Sequence, residues 1–213
     1  MQALERIDFS NNWITLVFIL CLLLLFVLKT LNSQQLFEYS RAFFLKGFIE
    51  KKVEERASFF TAFNVILYVS SVLVYALFFT HLVSIFSVDI TINFQLYLKI
   101  TGIVFGYYSI FKFLDFLLCS LLEVRHQLAN VIAAKLGYSY NIALFLFPFL
   151  LLTTYSFLNI YGLLSVFIIL FTLSFVLTFI NNKNLIISKL FYFILYLCAL
   201  EITPLLIIYK ITV

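Results

Sequence analysis

The chain has 213 residues, of which 64% are hydrophobic and only 11% charged, with 28 Phe among them. An ordinary soluble domain carries roughly 25% charged residues, so this much apolar side chain exceeds what a soluble core of this size can hide, and the composition points to an integral membrane protein. The formal charge of +4 is no argument for nucleic acid, because the basic residues do not form one patch.

Taken in chain order, six apolar runs read as transmembrane helices, each near the roughly 20 residues that a bilayer core requires. The first covers 13–28, with Trp13 as an interfacial anchor. The residues before it, MQALERIDFSNN, carry Glu5 and Asp8 against Arg6, and no small-x-small cleavage site follows. The run is therefore read as a retained span rather than a signal peptide. The others are expected at 59–79, 94–118, 142–158, 163–180 and 190–209. The turn between the fourth and fifth, Asn159 to Gly162, decides between six spans and five.

Lys and Arg set the orientation. Lys29, Arg41, Lys46, Lys51, Lys52 and Arg56 follow the first span; Lys112, Arg125 and Lys135 lie at or after the inner end of the third; Lys183 and Lys189 follow the fifth. The opposite side holds Arg6, Lys99 and Lys210. This alternation places the connections 29–58, 119–141 and 181–189 in the cytoplasm and both termini on the other side. Within 32–57, Leu36, Phe37, Phe43, Phe44 and Phe48 are interspersed with charges, as in a helix lying in the interface. Ser58 reads as the N-cap of the second span. In the connection 119–141, the stretch 119–137 is also amphipathic, and its KLG ending makes Gly137 a candidate helix C′ residue. The expected fold is thus an all-α bundle of six transmembrane helices, with one or two cytoplasmic amphipathic helices and a single domain over 1–213.

The most extensive polar pattern is Lys112, Asp115, Cys119, Glu123, His126 and Asn130, spaced 3, 4, 4, 3 and 4. On one continuous helix these fall within an arc of about 80°, and Thr101 and Tyr108 extend it outward. Such a seam serves either as a polar track or docking face, or as a Lys112–Asp115 pair that neutralises itself, followed by a solvated face. In the second span Thr61, Asn64, Tyr68, Ser71 and Tyr75 share a face suited to hydrogen bonds between helices. Gly102 and Gly106 form a GxxxG motif, read as close packing within the chain.

In the last span, Glu201 stands in FYFILYLCALEITPLLIIYK, near the bilayer midplane, where an acidic side chain costs about 3 kcal/mol. Pro204 removes a backbone donor and frees the carbonyl of Leu200. Glu201 is either a proton or cation site or a neutral group in local packing, and Lys112 is its candidate partner. His81 stands at the outer end of the second span and reads as interfacial. Cys21, Cys119 and Cys198 have no ligand spacing and read as small apolar residues. No metal spacing, nucleophile–base arrangement or phosphate loop is found, so neither enzymatic chemistry nor a cofactor is expected.

The FYFILYLCALEITPLLIIYK segment, with Trp13 ahead of a Leu-rich span, resembles a domain-of-unknown-function family of polytopic bacterial inner-membrane proteins, found in Gram-negative envelopes of the gliding or secretion type. The resemblance implies no catalytic residues and marks Cys198, Glu201 and Pro204 as a family signature. The expected role is a non-enzymatic accessory or scaffold subunit of an inner-membrane complex, such as secretion or motility machinery of the envelope, with lipid and other membrane subunits as partners and no nucleic acid. The alternative is a small transporter or proton/ion-coupled protein that uses the intramembrane charges.

Overall fold

The computed structural model describes residues 12–43, 61–86, 93–121, 125–156 and 159–181. Six helices account for nearly all of them: α1 Asn12–Leu31, α2 Ser33–Ser40, α3 Ala62–Phe86, α4 Phe94–Leu121, α5 Arg125–Tyr155 and α6 Ile160–Asn181. Four helices, α1, α3, α5 and α6, contain a stretch long and apolar enough to cross a membrane. The fourth of the expected apolar runs, 142–158, corresponds in α5 to Ala134–Tyr155. The expected span 190–209, with Cys198, Glu201 and Pro204, lies outside the described residues, as do Ser58 and the basic connection beyond Phe43.

The helices bury one face each, for reasons visible in their spacing. On α1, Ile14, Val17, Phe18, Cys21 and Leu28 are buried at intervals of three, one, three and seven, a single stripe of a 3.6-residue helix. Leu16, Ile19, Leu23 and Phe26 on the other side are exposed. The central helix is α3, which packs against α1, α4 and α5. Its unbroken buried run Val74 to Phe78 reflects neighbours on several sides. The outermost helix is α6, which packs chiefly on α5. Leu163 is fully buried and Phe167 lies 4.5 Å from the Phe78 ring centroid, whereas Ile168, Ile169, Phe171, Phe175 and Val176 are exposed.

Asn159 separates α5 from α6. Its carbonyl accepts from the amides of Gly162 (2.8 Å) and Leu163 (3.4 Å), so these two apolar runs are distinct helices that pack against each other. Two expectations change. Gly137 is no helix terminus: it is buried inside α5. A mid-helix glycine costs about 1 kcal/mol relative to alanine, and the burial of Ala134, Tyr138, Tyr140 and Asn141 around it offsets this. The stretch 119–141 is therefore mainly helix rather than connection. The second change concerns α2, which begins the long basic connection. Asn32 caps it, its side chain accepting from the amide of Gln35 at 3.0 Å. Its Tyr39 is buried against Phe63 and Tyr140. The helix thus docks on the bundle through α5.

Candidate functional site at the junction of three helices

The polar side chains of α3, α4 and α5 converge at one junction. Tyr75 on α3 donates its hydroxyl to the carbonyl of Ser139 on α5 at 2.8 Å. The Ser139 Oγ in turn lies 2.9 Å from the hydroxyl of Tyr108 on α4, and the rings of Tyr75 and Tyr108 stack at 5.6 Å. Two turns along α3 toward the basic end, the Tyr68 hydroxyl meets Ser109 Oγ at 2.8 Å and the Phe105 carbonyl at 3.3 Å. These contacts bring together the polar positions of α3 and α4. Ser71 instead donates to the Tyr68 carbonyl of its own helix. Thr61 supplies the α3 cap, accepting from the amide of Asn64 at 3.4 Å.

Lys112 occupies the mouth of this junction. Its ammonium lies 3.8 Å from the centroid of the Tyr68 ring and 5.6 Å from that of Tyr140. A cation over an aromatic face is stabilised by the ring quadrupole, by about 0.5 to 2 kcal/mol depending on solvent access. Lys112 therefore ties α4 to both α3 and α5. On the same side of the bundle, the Lys135 ammonium lies 5.4 Å from the Phe111 ring.

The contacts Tyr108 with Ser139 and Phe111 with Lys135 show that α4 and α5 run antiparallel. The chain reverses between them, so Lys112 to Asn130 is not one straight helix. Lys112, Asp115 and Cys119 belong to α4, His126 and Asn130 to α5, and Glu123 lies outside the described residues. The 80° arc holds only for an unbroken helix, and the reversal removes it.

Gly102 and Gly106, read as packing positions, lie on α4. An added Cβ on either would meet nothing within 4 Å, so among the described residues no helix packs closely there. His81 is not solitary: its Nε2 lies 3.5 Å from Thr154 Oγ1 on α5.

Ser139, Tyr140 and Asn141, which sequence reasoning left in a connection, are central. Asn141 is fully buried and donates its amide to the carbonyls of Tyr39 and Ser40, the latter at 3.0 Å. It thereby holds the last turn of α2 against α5. The signal available was the alternation YSYN within a helical run that begins at Arg125. A cavity between α1, α3 and α5, bounded by Cys21, Leu67, Ser70, Val74, Tyr140 and Phe147, has room for little more than one water molecule. Among the described residues, no three His, Cys, Asp or Glu side chains come together in a way that could hold a metal ion.

The model of a domain-of-unknown-function family, DUF4271, matches residues 14–212. The chain belongs to this family. The match takes in every described helix except the first two residues of α1, so the junction of α3, α4 and α5 lies within the DUF4271 domain. No curated protein and no solved structure matches the chain.

Proposed function

We propose that this DUF4271 protein is a non-enzymatic accessory or scaffold subunit of a bacterial inner-membrane complex, in keeping with secretion or motility machinery of the envelope. The observation that carries this is the closure of the junction. The hydroxyls of Tyr68, Tyr75 and Tyr108 are taken up by serines and carbonyls of neighbouring helices, and the Lys112 ammonium rests on rings. The adjacent cavity is about the size of a water. A substrate path needs polar groups facing an open volume. Among the described residues they face one another, which favours the helix surfaces as the parts that act.

In this role the chain crosses the membrane six times, with α4 and 190–209 as the remaining spans. The stretch that α2 begins lies at the cytoplasmic face, and both termini lie on the opposite side. Two ends of the bundle support this orientation. Lys29, Arg41, Lys112 and Lys135 gather at one end. At the other, Trp13 packs on Phe94 and Tyr97, and Thr15 meets the Tyr155 hydroxyl at 2.6 Å. Basic residues favour the cytoplasmic side, and Trp and Tyr favour interfaces.

Purification of the full chain in mild detergent tests the role. The expected outcome is recovery of other membrane subunits at a fixed ratio, reproduced when a recovered subunit carries the tag. A monodisperse single chain whose melting temperature rises with a small solute would overturn it in favour of a transporter.

A further inference from the structure

Three apolar stretches end at one level of the bundle. Trp13–Leu31 of α1 finishes there, and Ala62–Val83 of α3 and Ala134–Tyr155 of α5 begin there. Leu28, Phe63 and Ala134, from those three ends, share one buried cluster with Tyr39 of α2. Helix α2 therefore lies where apolar spans give way to the headgroup layer. Its inner side is taken: Tyr39 is buried, and Leu36 packs on the same cluster. At 100° per residue, Gln34, Phe37 and the C-cap Arg41 fall within an arc of about 60° on the opposite side, and all three are exposed. The Arg41 guanidinium lies 4.0 Å from the centroid of the Phe37 ring. The Arg41 amide donates to the Phe37 carbonyl at 3.1 Å, so the arginine side chain starts from a fixed backbone. Lys29, in the last turn of α1, is exposed as well.

We propose that this stripe binds the headgroup of an anionic phospholipid of the cytoplasmic leaflet, with Arg41 on the phosphate and Phe37 inserted beside it among the upper acyl chains. This rests on the cytoplasmic placement of α2 proposed above. The makeup of the stripe selects the occupant. An exposed ring beside a cation suits a boundary that is apolar on one side and anionic on the other. A guanidinium makes its hydrogen bonds in its own plane and matches two phosphate oxygens, so a ring against its face and a phosphate at its edge are compatible. The described helices and their caps bring Lys29, Arg41, Lys112 and Lys135 to this end, against Glu38 and Asp115, and the local charge is positive. A headgroup of net negative charge is favoured there over a zwitterionic one, whose own ammonium is repelled.

The experiment uses the full chain in dodecylmaltoside micelles and reads its melting temperature with phosphatidylglycerol, phosphatidylcholine or glycerol 3-phosphate added. Phosphatidylglycerol is expected to raise it by about 3–5 °C, as a tenfold excess over Kd does for a chain of this size, and phosphatidylcholine to raise it less. The preference should be lost in Arg41→Gln, reduced in Phe37→Ala and kept in Lys99→Gln, at the other end of the bundle. It should also shrink as salt is raised. Native mass spectra give a reading that does not depend on melting: phosphatidylglycerol should stay on the unaltered chain and leave Arg41→Gln. Equal shifts from the two lipids, or a preference that survives Arg41→Gln, overturn the proposal. A shift from glycerol 3-phosphate as large as that from phosphatidylglycerol overturns the lipid as the source, in favour of a free phosphate. Micelles have no sides, so these outcomes bear on the headgroup site alone. Labelling of Ser33→Cys from outside in intact spheroplasts would instead sink the cytoplasmic placement, and the leaflet assigned here with it.

Discussion

At the scale of single residues, Ser139 joins three helices through two different atoms, and this separates two variants that would otherwise look alike. Its carbonyl accepts from Tyr75 at 2.8 Å, while its Oγ meets Tyr108 at 2.9 Å. Ser139→Ala keeps the carbonyl and removes the hydroxyl. Each of Tyr75→Phe, Tyr108→Phe and Ser139→Ala should lower unfolding stability by about 0.5–1.5 kcal/mol, the net worth of one hydrogen bond. The combinations should differ. Tyr108→Phe with Ser139→Ala removes both ends of one bond and should cost less than the sum of the singles. Tyr75→Phe with Ser139→Ala should show a smaller coupling, since the Tyr75 hydroxyl keeps its 2.8 Å bond to the carbonyl and reaches the Oγ only at 3.5 Å. Unfolding in mixed detergent micelles measures both. Equal coupling in the two pairs would show that the hydroxyls do not bond as described. Tyr68 and Tyr75 were legible in the sequence because their spacing places them on one face of an unmistakably apolar run. Ser139 was not, because KLGYSYN is too polar and too glycine-marked to declare itself helical until its burial against α2 and α3 is known.

At the scale of elements, the same stretch explains the position of α2. An eight-residue helix is too short to be stable alone in water, so its order must come from packing. Two contacts supply it: Tyr39 wedged between Phe63 and Tyr140, and the amide of the buried Asn141 on the α2 terminal carbonyls. Orphan carbonyls at a helix end need partners, and here a side chain from another helix provides them. Asn141→Leu should fit the volume approximately, leave those carbonyls without their donor and release α2. Amide exchange across Ser33–Ser40 should quicken by at least tenfold, the equivalent of about 1.4 kcal/mol of lost local stability, with α3 and α6 unchanged. Slow exchange in α2 after this change would assign its order to Tyr39 alone. The sequence pointed to an interfacial helix in this region from its mixture of Phe and charge. The asparagine that holds it lies about 100 residues further on, and only the three-dimensional fold brings the two together.

At the scale of the whole molecule, the two ends of the bundle differ in chemistry, and this sets how it sits in a membrane. Helix α3 has 25 residues and so is about 37 Å long at 1.5 Å per residue, more than the roughly 30 Å of a hydrocarbon core. A helix of this length and composition can span the core, and its ends are then expected on opposite sides. Ser33 lies near the first end and Asn93 follows the second, and both are exposed. Near Ser33 stand Lys29 and Arg41, each exposed. Near Asn93, Trp13 packs on Phe94 and Tyr97. In a cysteine-free background, Ser33→Cys should react with a membrane-impermeant maleimide only after the inner membrane is opened, whereas Asn93→Cys should react in intact spheroplasts. Reversed sidedness would mean that the basic end faces outward, against the charge bias. Equal labelling would mean that α3 does not cross at all. That second outcome would also remove the reason for exposed Leu, Ile and Phe along α1 and α6, since those side chains are stable there only if hydrocarbon or another apolar chain covers them.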